Sequence, residues 1–225
     1  MKHDATKFIG FFNLMEAMKK AGCPVCIRIL EETHRFMNSF LCESVNDARL
    51  RDEICRDRGL CHRHSWQLAL CGEALGGPLI FREVLESAIP DICPPRPPFS
   101  LSRQSITGDV GRKPCLFCRL ERQSHDAVIS HLINHLADPE LVMAWDGPAA
   151  LCVPHLTEVC AGVERESERR SLIGLHHAKY QRLCDEMSSL IEKQRYSHRL
   201  GEIRPEESDS WTRAIEMLVG RPGVH

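Results

Sequence analysis

The sequence lacks any apolar run approaching the roughly 18 residues that a membrane-crossing helix needs, which argues against a helical membrane span. An excess of one charge sign is missing too: 29 Lys and Arg face 31 Asp and Glu, for a formal net charge of −2. A globally basic nucleic-acid coat and an acidic tail are therefore excluded. No stretch of about four to eight residues alternates apolar and polar with β-branched enrichment, so strands are not expected. Signatures of catalysis are equally scarce, since no Ser-His-Asp order, phosphate-binding glycine loop or helical carboxylate pair stands out. Phe8–Met15 is apolar behind Lys2 and Lys7, but Glu16, Lys19 and Lys20 follow at once with no small-x-small cleavage site. A secretory signal is not expected, and a reducing cytoplasm is.

What the chain has in quantity is cysteine, twelve in 225 residues. In a reducing compartment such richness points to metal binding rather than to disulfides. The cysteines fall into two matching constellations. Cys23-Pro-Val-Cys26 goes with Cys61-His-Arg-His64, and Cys115-Leu-Phe-Cys118 with Cys152-Val-Pro-His155, at offsets of 92 and 91 residues. The match extends further: Phe36, Met37, Phe40 and Leu41 stand at the same offsets from Cys26 as Val128, Ile129, Leu132 and Ile133 do from Cys118. Asp47 and Asp138 each precede the third cysteine of their set by fourteen residues. A duplicated unit is the economical reading.

Helical periodicity runs through both copies. Ile27, Leu30, Met37, Leu41 and Val45 keep three-and-four spacing over Pro24–Val45, and 116–137 repeats it. Asp47 and Asp138 read as N-caps of a second helix in each unit, closed by Gly59 and by Gly147-Pro148. Gly76-Gly77-Pro78 opens a further helix to about Ala88, Glu164 to Tyr196 reads as one long helix, and Ser208–Val219 as a last one burying Trp211, Ile215 and Leu218. The expected organisation is all-α: a first repeat with an N-terminal helix over 1–89, a proline-rich linker over 90–113, a second repeat over 114–163, and a C-terminal helical part over 164–225.

Each Cys-x-x-Cys or Cys-x-x-His pair has its first residue at a helix N-cap and its second one turn on, so both face one ion. Pro24 and Pro154 suit a first helical turn, and helix N-termini favour thiolate. Two such helix ends make a closed Cys3His set, suited to tetrahedral zinc and leaving no open position for substrate. The expected ligands are Cys23, Cys26, Cys61 and His64 for one zinc ion, and Cys115, Cys118, Cys152 and His155 for a second. This within-repeat pairing accounts for each set being complete; pairing across the repeats is the alternative. Iron–sulfur clusters for electron transfer or redox sensing are the rival cofactor. Ile27 and Arg119 follow the Cys-x-x-Cys pairs where a c-type haem motif needs histidine.

The remaining histidines and cysteines have plainer readings. His131 and His135 read as the polar flank of a core helix, because Leu132 stands where a metalloprotease carries its Glu. His62 reads as a surface residue and His176 as partly buried with a hydrogen bond. Most of Cys42, Cys55, Cys71, Cys93, Cys160 and Cys184 read as small core residues. Arginines at 165–170 interleave with acids, which favours a solvated helix face over nucleic-acid binding.

CPVC at 23–26, VND at 45–47, GLCHRH at 59–64, CLFC at 115–118, ALCVPH at 150–155 and the tail SDSWTRAIEMLVG from Ser208 together resemble a bacterial family of unknown function built on two CPxC and GxCxxH repeats. The resemblance runs from about residue 20 to 220 and departs from the family at Leu116, where the proline of CPxC often stands. It implies a predominantly helical, metal-binding cytosolic protein and supplies no activity. The reading is a zinc-binding, non-catalytic accessory protein whose partner is another protein, with no membrane or nucleic-acid role.

Overall fold

The computed structural model of the chain describes residues 9–72, 75–92, 113–195 and 202–224. Among the described residues the chain is helical, with one isolated bridge between Gly22 and Ala149 in place of any strand. The helices are α1 (Ile9–Met18), α2 (Pro24–Ser39), α3 (Ala48–Arg56), α4 (His62–Leu70), α5 (Gly76–Ile92) and α6 (Leu116–Asn134), then α7 (Pro139–Ala144), α8 (Val153–Gly162), α9 (Glu166–Arg195), α10 (Pro205–Ser208) and α11 (Ser210–Val219). A π-helical turn, Phe40–Ser44, continues α2. Helix α5 runs past the expected Ala88, and most of the expected linker, with Cys93, lies outside the described residues.

Local chemistry sets the ends. Asp47 accepts from the Arg49 N–H at 2.8 Å and Asp138 from the Glu140 N–H at 2.9 Å, each capping its helix as the sequence suggests. At the end of α3 the Gly59 N–H reaches the Ile54 carbonyl and the Arg58 N–H the Cys55 carbonyl, a Schellman closure. Arg58 takes the left-handed position at φ 59° and Gly59 follows at φ 89°.

The chain forms two compact units that interleave along the sequence. One comprises residues 1–30 and 124–225 and the other residues 31–123, the boundaries falling inside α2 and α6. This differs from successive repeats over 1–89 and 114–163. In the first unit Phe11, Leu14 and Met18 of α1 meet Val25, Ile29, Leu132, Leu141, Leu151 and Val159 in a buried core. In the second, Met37, Phe40, Leu41, Ile54, Leu60, Leu68, Ile80 and Phe117 form the corresponding core.

Within the first unit α9 packs against α8, α10 and α11, burying Leu172, His176, Leu183 and Leu190. Leu172 faces inward, and its neighbour Ile173 is half exposed. Helix α11 also corrects an expectation, for Trp211, Ile215 and Leu218 are exposed. Its packed side carries the fully buried Ser210, together with Arg213, which pairs with Glu186 and Asp209. Of the other described cysteines, Cys71 and Cys160 pack half-buried against the two cores and Cys55 is half-buried, whereas Cys42 and Cys184 are exposed, against expectation. No described helix is long and apolar enough to cross a membrane.

Candidate metal centres

The eight expected donors converge in two Cys3His groups, and the groups cross the repeats. Cys23 and Cys26 meet Cys152 and His155 in the first unit; Cys61 and His64 meet Cys115 and Cys118 in the second. Within-repeat pairing is thereby corrected. The N-termini of α2 and α8 converge in one unit, and those of α4 and α6 in the other, so each Cys-x-x-Cys finds the Cys-x-x-His of the other copy.

All four pairs use the same local device. The carbonyls of Cys23, Cys61, Cys115 and Cys152 accept the first helical bond from Ile27, Ser65, Arg119 and Leu156. Cys61 and Cys152 sit at N-cap positions in nearly the same conformation, φ −65°, ψ 163° and φ −72°, ψ 161°. Neither side chain caps its own helix, so each sulfur is left to face the cluster. The residue three positions on then lies on the same helix face.

In the first unit His155 Nδ1 stands 3.4, 3.5 and 3.1 Å from the sulfurs of Cys23, Cys26 and Cys152, and Cys26 and Cys152 are 3.8 Å apart. All four residues are buried. In the second, His64 Nδ1 stands 3.2, 3.3 and 3.3 Å from Cys61, Cys115 and Cys118, whose sulfurs are separated by 3.6 Å (Cys115–Cys118) and 3.7 Å (Cys61–Cys118). A tetrahedral ion at about 2.3 Å from sulfur and about 2.0 Å from nitrogen separates its sulfurs by about 3.8 Å and holds nitrogen about 3.5 Å from sulfur. Both clusters have the donor separations of a single ion, and both could hold a metal ion.

Each cluster favours one thiolate and resists more. Burial pushes the Cys23 thiol up, but hydrogen bonds from Cys152, Cys26 and His155 hold it well below the usual thiol range. Its neighbours pay for that charge in the opposite direction: Cys152 is raised to about 12, chiefly by Cys23, and Cys26 is raised by Cys152, Cys23 and burial. In the second cluster burial opposes ionisation of Cys115, yet His64 and the backbone N–H groups of Cys61 and Cys118 bring it down to about 6. Burial and the Cys115 charge push Cys118 up to about 12. A dication, if bound, would let such a set deprotonate together.

The surroundings orient the donors. Behind His64, Nε2 lies 3.5 Å from Glu121 Oε2, and the two terminal guanidinium nitrogens of Arg63 grip that carboxylate. Despite burial, His64 and Arg63 hold the Glu121 carboxyl below its ordinary value. In the first unit the loop leading to Cys152 is fastened by α9. Lys179 donates to the Gly147 and Ala149 carbonyls at 2.7 and 2.5 Å, and Tyr180 to the Leu151 carbonyl at 2.6 Å. His176 accepts from the Leu151 N–H at 2.9 Å through Nε2 and donates to the Leu172 carbonyl through Nδ1 at 2.8 Å. That pair of bonds fixes its neutral tautomer. After α11, Gly220 turns at φ 85° and brings Arg221 back, its guanidinium donating to the Ala21 carbonyl at 2.8 Å and its backbone N–H reaching Cys26.

His62 is exposed and outside the donor set, as expected. His131 and His135 stack on each other, His135 meets Phe11 at a tilt, and no donor group forms around them among the described residues. Sequence reasoning missed Arg63, Glu121, Lys179 and Tyr180. Arg63 stands inside the Cys-x-x-His motif and Glu121 one turn after Cys118, but their pairing, like the reach of Lys179 and Tyr180 to the loop, is a fold contact that spacing does not signal.

The chain belongs to a family of unknown function, DUF6062, whose match covers residues 6–223. It is similar to an "uncharacterized 23.9 kDa protein in xynA 3'region" of Caldicellulosiruptor sp. (strain Rt8B.4), 26% identical over 213 residues that cover 92% of this chain and 99% of that protein. No solved structure matches.

Proposed function

We propose that this member of the family is a zinc-binding accessory protein whose two Cys3His sites are structural and whose partner is another protein. The observation that carries the reading is the convergence of four donors at single-ion separations in each unit, all supplied by helix N-termini. Four protein donors fill a tetrahedral zinc shell and leave no position for substrate. Thiolate with imidazole suits zinc among the available divalent ions. An iron–sulfur cluster places two or more irons and their sulfides among its cysteines, which calls for wider spacing than 3.6–3.8 Å between sulfurs. Exposed apolar residues support the partner part of the reading. Trp211, Ile215, Leu218 and Val219 line one side of α11, and Trp66 and Leu70 stand one turn apart on α4.

The test is metal content and visible absorption of protein purified without oxygen and without added metal. Two zinc ions per chain and no visible absorption are expected. Iron with acid-labile sulfide would overturn the zinc assignment in favour of electron transfer or redox sensing, and a metal-free folded chain would overturn both.

A further inference from the structure

We propose that His125, His155 and Glu158 form a third, open site for a divalent transition-metal ion, with His155 bridging it to the Cys23, Cys26 and Cys152 sulfurs. The proposal rests on the metal reading above, because His155 is shared. One donor atom from each of the three residues lies within 4.8 Å of the others. His155 and Glu158 are one turn apart on α8, and His125 faces them from α6, with its ring 5.5 Å from the His155 ring.

His125 lies between two carboxylates. Nδ1 is 3.1 Å from Asp126 Oδ1 and Nε2 is 2.9 Å from Glu158 Oε2. In the tautomer whose Nδ1–H donates to Asp126, the Nε2 lone pair faces Glu158. A metal ion between Nε2 and Oε2, which stand 2.9 Å apart, would then be met by a lone pair from each side. Tetrahedral zinc about 2.0–2.1 Å from nitrogen and oxygen sets those donors about 3.3 Å apart, so binding Zn2+ would part His125 and Glu158 slightly from their 2.9 Å contact. Asp126 then plays the outer carboxylate that commonly fixes the tautomer of a metal-bound imidazole.

The corresponding place at the other cluster is built differently. There the carboxylate behind His64, Glu121, is already matched by Arg63. Glu158 pairs with His125 and with no Lys or Arg among the described residues. Glu158 and His125 also reach solvent, unlike His155, so water can complete the shell of an ion held there. His155 meets the sulfurs through Nδ1. Bridging therefore uses Nε2, and binding releases the Nε2 proton to solvent.

The experiment starts from protein carrying two ions per chain and titrates it with Zn2+ alone in equilibrium dialysis near neutral pH. A third ion per chain is expected. His125→Ala and Glu158→Ala should each lose the third ion while keeping two, which also reports that the variants fold. Two-ion protein that takes no third ion overturns the inference and leaves the structural sites standing. A third ion that persists in both variants overturns it as well. A chain that carries no ion in its Cys3His clusters, before or after titration, overturns the underlying reading and this site with it.

Discussion

At the scale of single residues, two buried side chains tie stability to pH. Glu207 is fully buried and accepts from Lys193 at 2.9 and 2.7 Å, from Ser189 at 2.9 Å and from the Arg204 N–H at 2.8 Å. Lys193 foremost, with the Arg204 N–H, brings its carboxyl down to about 2. The folded value lies below the unfolded one, so its contribution is whole above about pH 4.3 and is lost as the pH falls through about 2. Glu207→Gln should lower stability at neutral pH and flatten the acid limb of a denaturation series in that window. His176 behaves alike higher on the scale. Burial lowers its pKa, so its contribution is whole above about pH 6.5 and shrinks as the pH drops. His176→Leu orphans the Leu151 N–H next to a cluster cysteine and should cost about 1–3 kcal/mol. Denaturant titration of the metal-loaded protein measures the loss, and the variant should show less stability change below pH 6.5 than the parent.

At the scale of elements, helix starts were the most legible part of the chain. Asp47 and Asp138 cap where the sequence places them, because a side chain that satisfies the N–H two residues on acts locally and needs no tertiary information. Helix faces were harder. Trp211, Ile215 and Leu218 have the spacing of a buried stripe yet point outward, since periodicity marks an apolar face without saying what covers it. The unmatched cysteines erred the same way: Cys42 and Cys184 are exposed despite the usual preference of the residue type. Gly59 gives a quantitative test of an element end. Its φ of 89° and the 3.0 Å approach of Val84 Cγ1 to a Cβ built there both oppose a side chain. Gly59→Ala should destabilise the protein by about 1–2 kcal/mol, read as a lower denaturation midpoint with an unchanged slope.

For the whole molecule, the sequence revealed all eight donors but not their partition. Cys-x-x-Cys and Cys-x-x-His make a complete Cys3His set whether drawn from one repeat or from both, so composition and spacing are silent on pairing. The partition follows from the path of the chain. Residues 1–30 and 124–225 make one unit and 31–123 the other, so each Cys-x-x-Cys shares a unit with the Cys-x-x-His of the opposite copy. A metal ion in either cluster would join the first half of the sequence to the second, across 93–112, and would make folding and metal uptake one event.

The most direct test counts metal ions per chain in two double variants. Cys23→Ser with Cys152→Ser removes two donors from one cluster and should leave one ion bound. Cys23→Ser with Cys61→Ser removes one donor from each cluster and should leave none bound tightly. The reverse pattern, one ion in the second variant and none in the first, would contradict the crossed pairing and restore within-repeat sites.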